Sequence, residues 1–281
     1  MIRIVTDGAA DMPLKWLEEF DINVIPINIH FGEKTYLQNV DLDRDGFYQL
    51  VDETRKIPKT SQPTPHQFTE FYKQVAEAGD TIISIHITSK LSGTYESAVA
   101  AARELKDTFN VIPFDSMCGS VGIGMLCREA RLAEREGLGV EDIIKRIEGL
   151  REKIDVYLTL DTLEYARMSG RVGAMQAALA SLLNVKPIAT LGDGVISITE
   201  KVRTRSASIE RLINMAKDKV GDNPINLAVV HARDPKSGQA LLDKALGDLN
   251  VKESDLVDLS ISIAANLGPG TVGLIFYPVS E

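Results

Sequence analysis

The segment TIISIHITSKLSGTYESAVAAARELKDTFNVIPFD, residues 81–115, holds a complete strand–helix–strand unit. Its β-branched opening, TIISIHI (81–87), predicts a strand. GTYESAVAAARELKD (93–107) predicts an amphipathic helix, and NVIPFD (110–115) predicts a second strand. Two strands joined through a helix run parallel, since a tight turn joins only antiparallel neighbours. The pattern extends in both directions. Upstream, IRIVT (2–6), PLKWLEEF (13–20), NVIPINI (23–29) and HQFTEFYKQVAEA (66–78) predict strand, helix, strand and helix. Downstream, two helices fill 121–153. This alternation predicts an α/β fold whose N-terminal part is a mostly parallel sheet with helices on both faces.

A second series starts at VYLTL (156–160). A helix is expected over GAMQAALASLLN (173–184), then a β-hairpin over 186–205 turning at Asp193-Gly194. Helix 206–219, strand 225–232, helix 236–248, strand 256–261 and strand 272–278 follow. The expected domains are 1–153, a parallel α/β domain, and 154–281, a mixed α/β sheet domain. No low-complexity linker separates them, and a crevice between them is the expected ligand site.

The chain has 281 residues, with 31 Lys+Arg against 40 Asp+Glu and a net charge of −9. That excess disfavours duplex binding, which depends on cations neutralising phosphates, so no nucleic-acid partner is expected. The two cysteines, Cys118 and Cys127, form no CxxC pair, and the four histidines show no metal-ligand spacing, so neither a disulfide framework nor a metal site is expected. No stretch approaches the roughly 18 apolar residues of a membrane span, and the N-terminus lacks a signal-type apolar core. The expected setting is the cytoplasm.

Five stretches can carry chemistry. In KTSQPTPHQF (59–68), Thr64, Pro65 and Gln67 form a capping box with proline at the first helical position. Thr60 and Ser61 stand just upstream, either as ordinary loop hydroxyls or as donors to an anion beside a helix N-terminus. In ITSKLSGTYESA (87–98), Ser92, Gly93 and Thr94 occupy a strand-to-helix turn. There Ser92 either caps the helix or joins Thr94 in binding an anion, while Gly93 leaves the backbone approachable. FDSMCGSVGIGM (114–125) has glycines in a GxxGxG order with no P-loop Lys-Ser/Thr, which favours tight packing over a nucleotide site. RMSGRVG (167–173) offers Arg171 in a loop, and KVRTR offers Arg203 and Arg205 two apart on the second hairpin strand, hence on one face. ANLGPGTVG (265–273) reads as a loop between strands, with Asn266 able to donate and accept. No nucleophile elbow is present, and the acids Asp7, Asp11 and Asp115 near predicted strand ends read as turn caps.

Taken in order, TDGAADMP (6–13), KTSQPT, LSGTYESA, FDS with its downstream glycines, SGRVG, KPI, the hairpin with KVRT, and GPG resemble the DegV family over almost the whole chain. The resemblance implies two α/β domains and a bound long-chain fatty acid as ligand, with no cofactor. It also implies a non-catalytic subunit that presents the acid's carboxylate to a separate ATP-dependent fatty acid kinase, for phospholipid synthesis. By resemblance, Thr60 and Ser92 bond the carboxylate, and Ser61, Gly93 and Thr94 shape the head-group pocket. Arg203 supports the pocket from the second domain, and Arg171 lies where the kinase docks. Two positions depart from the family pattern. Asn266 stands where many members carry histidine, and Gly8 replaces the serine of the opening motif. Two other readings stay open: a small-molecule phosphotransferase or hydrolase using Asp7 and Asp115, and a regulatory protein whose lipid occupancy alters a partner contact.

Overall fold

Alternating Ile, Val and Thr in the first strand gives it two buried faces, which calls for a sheet covered by helices on both sides. In the computed structural model, which describes residues 1–170 and 185–279, this is what β1 (Ile2–Asp7) forms. The first unit comprises Met1–Glu152 together with Ser260–Ser262. In chain order it contains β1, α1 (Leu14–Glu19), β2 (Ile22–Ile25), β3 (Asn28–Phe31), β4 (Lys34–Leu37), α2 (Arg44–Thr54), β5 (Lys59–Ser61) and α3 (Pro65–Val75). Next come β6 (Thr81–His86), α4 (Thr94–Glu104), β7 (Asn110–Asp115), α5 (Val121–Arg135) and α6 (Val140–Arg151). Four strands make a parallel sheet ordered β2-β1-β6-β7. Val5, Ile25 and Ile82 pack with Phe68 and Tyr72 of α3 and with Ala98 and Ala101 of α4. Helix α5 packs against β1 and β6, with Cys127 beside Thr6. Because Thr6 and Val5 alternate, α5 covers the other face.

The expected strand 23–29 is two strands in two sheets. Pro26 offers no N–H to a ladder, so β2 ends at Ile25 and the chain re-enters pairing at Asn28. There β3 joins β4 and β5 in a small antiparallel sheet ordered β4-β3-β5.

The second unit comprises Lys153–Leu259 and the chain from Ile263. It contains β8 (Asp155–Thr159), α7 (Glu164–Ser169), β9 (Lys186–Gly192), β10 (Val195–Val202), α8 (Arg205–Val220), β11 (Ile225–His231) and α9 (Pro235–Asp248). It ends with β12 (Val251–Asp258), α10 (Ile261–Leu267), whose first two residues belong to the first unit, and β13 (Val272–Pro278). Its mixed sheet is ordered β10-β9-β8-β13-β11-β12, and only β11 and β12 pair in parallel. Ile209, Leu212 and Ile213 of α8 and Leu241 of α9 pack on Tyr157, Ile188, Leu227 and Phe276. The β9–β10 hairpin turns at Asp193 and Gly194 as predicted.

Two further expectations change here, and a third lies outside the described residues. Arg203 and Arg205 do not share a strand: β10 ends at Val202, and Thr204 caps α8 by accepting from Ala207 N at 3.1 Å, which places Arg205 on the helix. The expected strand 256–261 stops at Asp258, and residues from Ile261 to Leu267 are helical, so Asn266 lies on α10 and not in a loop. Arg171 and the helix expected over 173–184 lie outside the described residues.

Candidate functional site

The β5–α3 connection is fixed by a network centred on one asparagine. Thr64 Oγ1 accepts from Gln67 N at 3.2 Å and Gln67 Oε1 accepts from Thr64 N at 2.8 Å, which completes the predicted capping box. Asn28, one strand away, donates to Gln67 Oε1 at 3.3 Å and to Gln62 O at 3.1 Å, and accepts from Gln67 Nε2 at 3.2 Å. The strand register pairs Thr60 with Ile29 and Ser61 with Asn28. Successive side chains on a strand leave opposite faces, so Thr60 and Ser61 do not aim the same way. Ser61 Oγ shares a 2.8 Å hydrogen bond with His30 Nε2, and His30 Nδ1 lies 2.9 Å from Thr35 Oγ1. Both Thr60 and Ser61 are partly buried.

The β6–α4 turn supplies the second set of hydroxyls. Ser92 does not cap α4: the N-cap is Gly93, with no side-chain bond. Instead Ser92 Oγ lies 2.8 Å from Thr94 Oγ1 and accepts from Thr94 N at 3.3 Å. Thr94 is buried and Ser92 is partly exposed. The two loops meet through Gln62. A Cβ placed on Gly93 would stand 2.9 Å from Gln62 Nε2, closer than real carbons approach, so the absent side chain is what admits the glutamine. Within the first unit, the segment carrying Thr60 and Ser61 thereby lies beside Ser92–Thr94 at the start of an eleven-residue helix. Hydroxyls, an amide and the positive end of a helix can together bind an anion without a cationic side chain.

The acids of the hydrolase reading are engaged in the fold. Asp7 Oδ2 accepts from Ile87 N at 3.1 Å and lies 3.0 Å from His86 Nδ1, while Oδ1 accepts from Ala9 N at 2.8 Å. His86 Nε2 lies 2.7 Å from Ser84 Oγ, which in turn lies 2.8 Å from Tyr72 Oη. The residue types and spacings match a Ser–His–Asp relay, yet Asp7, Ser84, His86 and Tyr72 are each 0% exposed. A nucleophile needs reach to a substrate as well as a base, so this relay ties β1, β6 and α3 together. Burial pushes the Tyr72 hydroxyl well above the ordinary phenol range. Asp115 Oδ1 accepts from Ser89 N at 3.2 Å and Met117 N at 3.1 Å, a turn cap. Among the described residues, no group of three His, Cys, Asp or Glu side chains is placed to hold a metal.

A third cluster sits beyond β1. Burial raises the Asp11 carboxyl to about 6, although Ser120 Oγ donates to it at 2.5 Å and Ser260 N at 2.8 Å. Nearby, Gln38 Nε2 donates to Gly8 O at 2.7 Å and Gln38 Oε1 accepts from Ser262 N at 3.2 Å. A Cβ on Gly8 would stand 2.9 Å from Gln38 Nε2, which gives a physical reason for glycine where the family pattern has serine. In the second unit, Arg203 is exposed and Asn266 is partly buried. Arg205 donates to Gly270 O and pairs with Asp161 at 2.9 Å.

The family model described as "Uncharacterised protein, DegV family" matches residues 1–279. The chain belongs to the DegV family. A DegV domain-containing protein of Streptomyces coelicolor is 34% identical over 281 residues, covering 98% of this chain and 97% of that protein. Protein DegV of Bacillus subtilis is 32% identical over 275 residues, covering 97% and 98% of the two chains. Among solved structures, a fatty acid-binding DegV family protein from Thermus thermophilus superposes with a TM-score of 0.91 at 30% identity, covering 99% of each chain. DegV from Bacillus subtilis, described as a fatty acid binding protein, gives 0.87 at 31%, again covering 99% of each chain. No helix among the described residues is long and apolar enough to cross a membrane.

For this DegV family chain, sequence reasoning named the hydroxyls of both loops and missed Asn28 and His30, which brace the first loop, and Gln62, which reaches the second. Asn28 fell inside what looked like one strand and His30 just beyond its end, and nothing local to Gln62 marks it. A capping box with a third polar partner across a strand carries no sequence signature, because the partner is remote in the chain.

Proposed function

We propose that this chain binds a long-chain fatty acid through the hydroxyl loops of its first unit and acts as a non-catalytic carrier in the cytoplasm. The observation that carries the reading is the joining of the Thr60–Gln62 and Ser92–Thr94 segments through Gln62 and Gly93, in a chain so similar to structures described as fatty acid binding. In this reading Thr60 and Ser92 donate to the carboxylate, while Ser61, Gly93 and Thr94 shape the surroundings. By the family resemblance, Arg203 and Asn266 are further head-group residues. Neutral donors suffice, because the hydrocarbon tail supplies the driving force: each buried methylene is worth roughly 0.8 kcal/mol, and a sixteen-carbon acid has about 14 of them. Part of that is lost to ordering on binding.

The carrier presents the carboxylate to a separate ATP-dependent kinase for phospholipid synthesis, with Arg171 at the contact. Mass spectrometry of a denatured extract of the purified protein tests the first part. Stoichiometric fatty acid is expected; none in the extract and no uptake of added acid overturns the reading. Arg171→Ala is expected to slow acyl phosphorylation by the kinase with lipid affinity unchanged, and equal loss of both rejects the contact.

A further inference from the structure

Two glutamines lie across two glycines in the first unit, and they differ in one respect. Gln38, buried beside Gly8, is bonded at both ends of its amide, to Gly8 O at 2.7 Å and from Ser262 N at 3.2 Å. Its work is structural. Gln62, beside Gly93, is exposed, and its side-chain amide has no hydrogen-bond partner among the described residues. Its backbone is anything but loose: Asn28 holds Gln62 O at 3.1 Å, and the buried Pro63 and the capping box follow it. A rigid backbone therefore points an unused amide at the Ser92–Thr94 turn, and Gly93 keeps the space open for it. Flexible surface glutamines do not need a glycine opposite them.

We propose that Gln62 is a specificity-determining residue of the head-group site, its amide N–H donating to an acidic head group and discriminating acids from uncharged lipids. This rests on the fatty acid reading above. An amide donor strengthens when its acceptor is charged, so it contributes more to a carboxylate than to a hydroxyl of the same chain length. Serine and threonine hydroxyls donate or accept as required and serve both ligands. The sorting of acid from alcohol then falls to an amide that a fixed backbone presents at the Ser92–Thr94 turn. Gly93 belongs to the same device, since a methyl group there pushes Gln62 aside.

The probes are hexadecanoic acid and hexadecan-1-ol, bound by the full-length protein after lipid extraction and refolding, with the circular dichroism melt of each variant as a folding control. Gln62→Leu is expected to weaken the acid about tenfold, as for one lost bond to a charged group, and the alcohol less than about twofold. Gln62→Glu sets a second carboxylate beside the first and is expected to weaken the acid further still. Gly93→Ala is expected to reproduce Gln62→Leu, and the double variant to be no worse than either single one. Equal effects on acid and alcohol, no effect on either, or additive losses in the double variant overturn the proposal. If the wild type binds neither probe, the fatty acid reading fails instead, and the two failures are thereby separate.

Discussion

Ser92 illustrates how little a side chain needs in order to recognise an acid. Its hydroxyl is already oriented by Thr94, with Oγ atoms 2.8 Å apart, so one hydrogen remains to be shared between protein and ligand. Ser92→Ala removes that donor and leaves the Thr94 hydroxyl with one partner fewer. The expected loss in affinity for hexadecanoic acid is about 1–3 kcal/mol by calorimetric titration, and the melting temperature of the empty protein is expected to fall modestly, since the buried Thr94 loses a partner. The two glycines that face glutamines make a contrasting pair. Gly8→Ala drives a methyl group into Gln38, which is buried and bonded on both sides and has nowhere to go. A loss of about 1–3 kcal/mol in unfolding free energy is expected, read from urea titration. Gly93→Ala meets an exposed glutamine that can swing into water, so the same measurement is expected to move little. Ser92 was legible in the sequence because it stands in a strand-to-helix turn, and Thr60 because it stands just upstream of a capping box. Gln62 was not, because its meaning lies in a contact with a glycine on another loop.

Elements that announce themselves do so through local chemistry. Strands β6 and β7 and helix α4 follow from periodicity alone, and α3 from its capping box. Helix α10 hides because SISIAANL alternates serine and isoleucine, the period of a strand. Tertiary bonds overrule that period: Ser260 N donates to Asp11, and Ser262 N to Gln38. The Asp11 anchor makes stability depend on pH. Its carboxyl is raised to about 6 by burial, so the folded state holds this proton more tightly than the unfolded chain. The resulting contribution is complete below the unfolded value of 3.8 and is lost as pH rises through about 6. Asp80 has the opposite sign: hydrogen bonds from the N-terminal amine, Glu77 N and Arg3 hold it at about 2, so its contribution exists above 3.8 and fades only in stronger acid. Asp11→Asn retains an acceptor for Ser260 N and an amide for Ser120 Oγ without a charge to bury. Relative to this variant, the wild type is expected to lose about 2 kcal/mol between about pH 4.5 and about pH 7.5, measured by urea unfolding at both. Parallel behaviour of the two proteins rejects the assignment.

At the level of the molecule, charge sets a condition that no single side chain reveals. The chain carries a net charge of −9 and has a pI near 5.1, so at neutral pH it repels the anion that we propose it binds. The cations of the hydroxyl loops, Lys59 and Lys90, are exposed to screening, as is Arg203, so none of them offsets that field as a buried charge does. Added salt shortens the reach of the repulsion to about 10 Å at 0.1 M and so favours approach of an acid. Salt also strengthens burial of any alkyl chain, and hexadecan-1-ol isolates that second effect because it carries no charge. Raising sodium chloride from low to near-physiological strength is therefore expected to speed association of hexadecanoic acid by about twofold more than that of the alcohol, read by stopped-flow fluorescence. A site built around a dominant cation gives the reverse order, with the acid slowed by salt. That outcome would transfer the recognition from Thr60, Ser92 and Gln62 to arginine, and with it the explanation of how an acidic protein holds an acidic lipid.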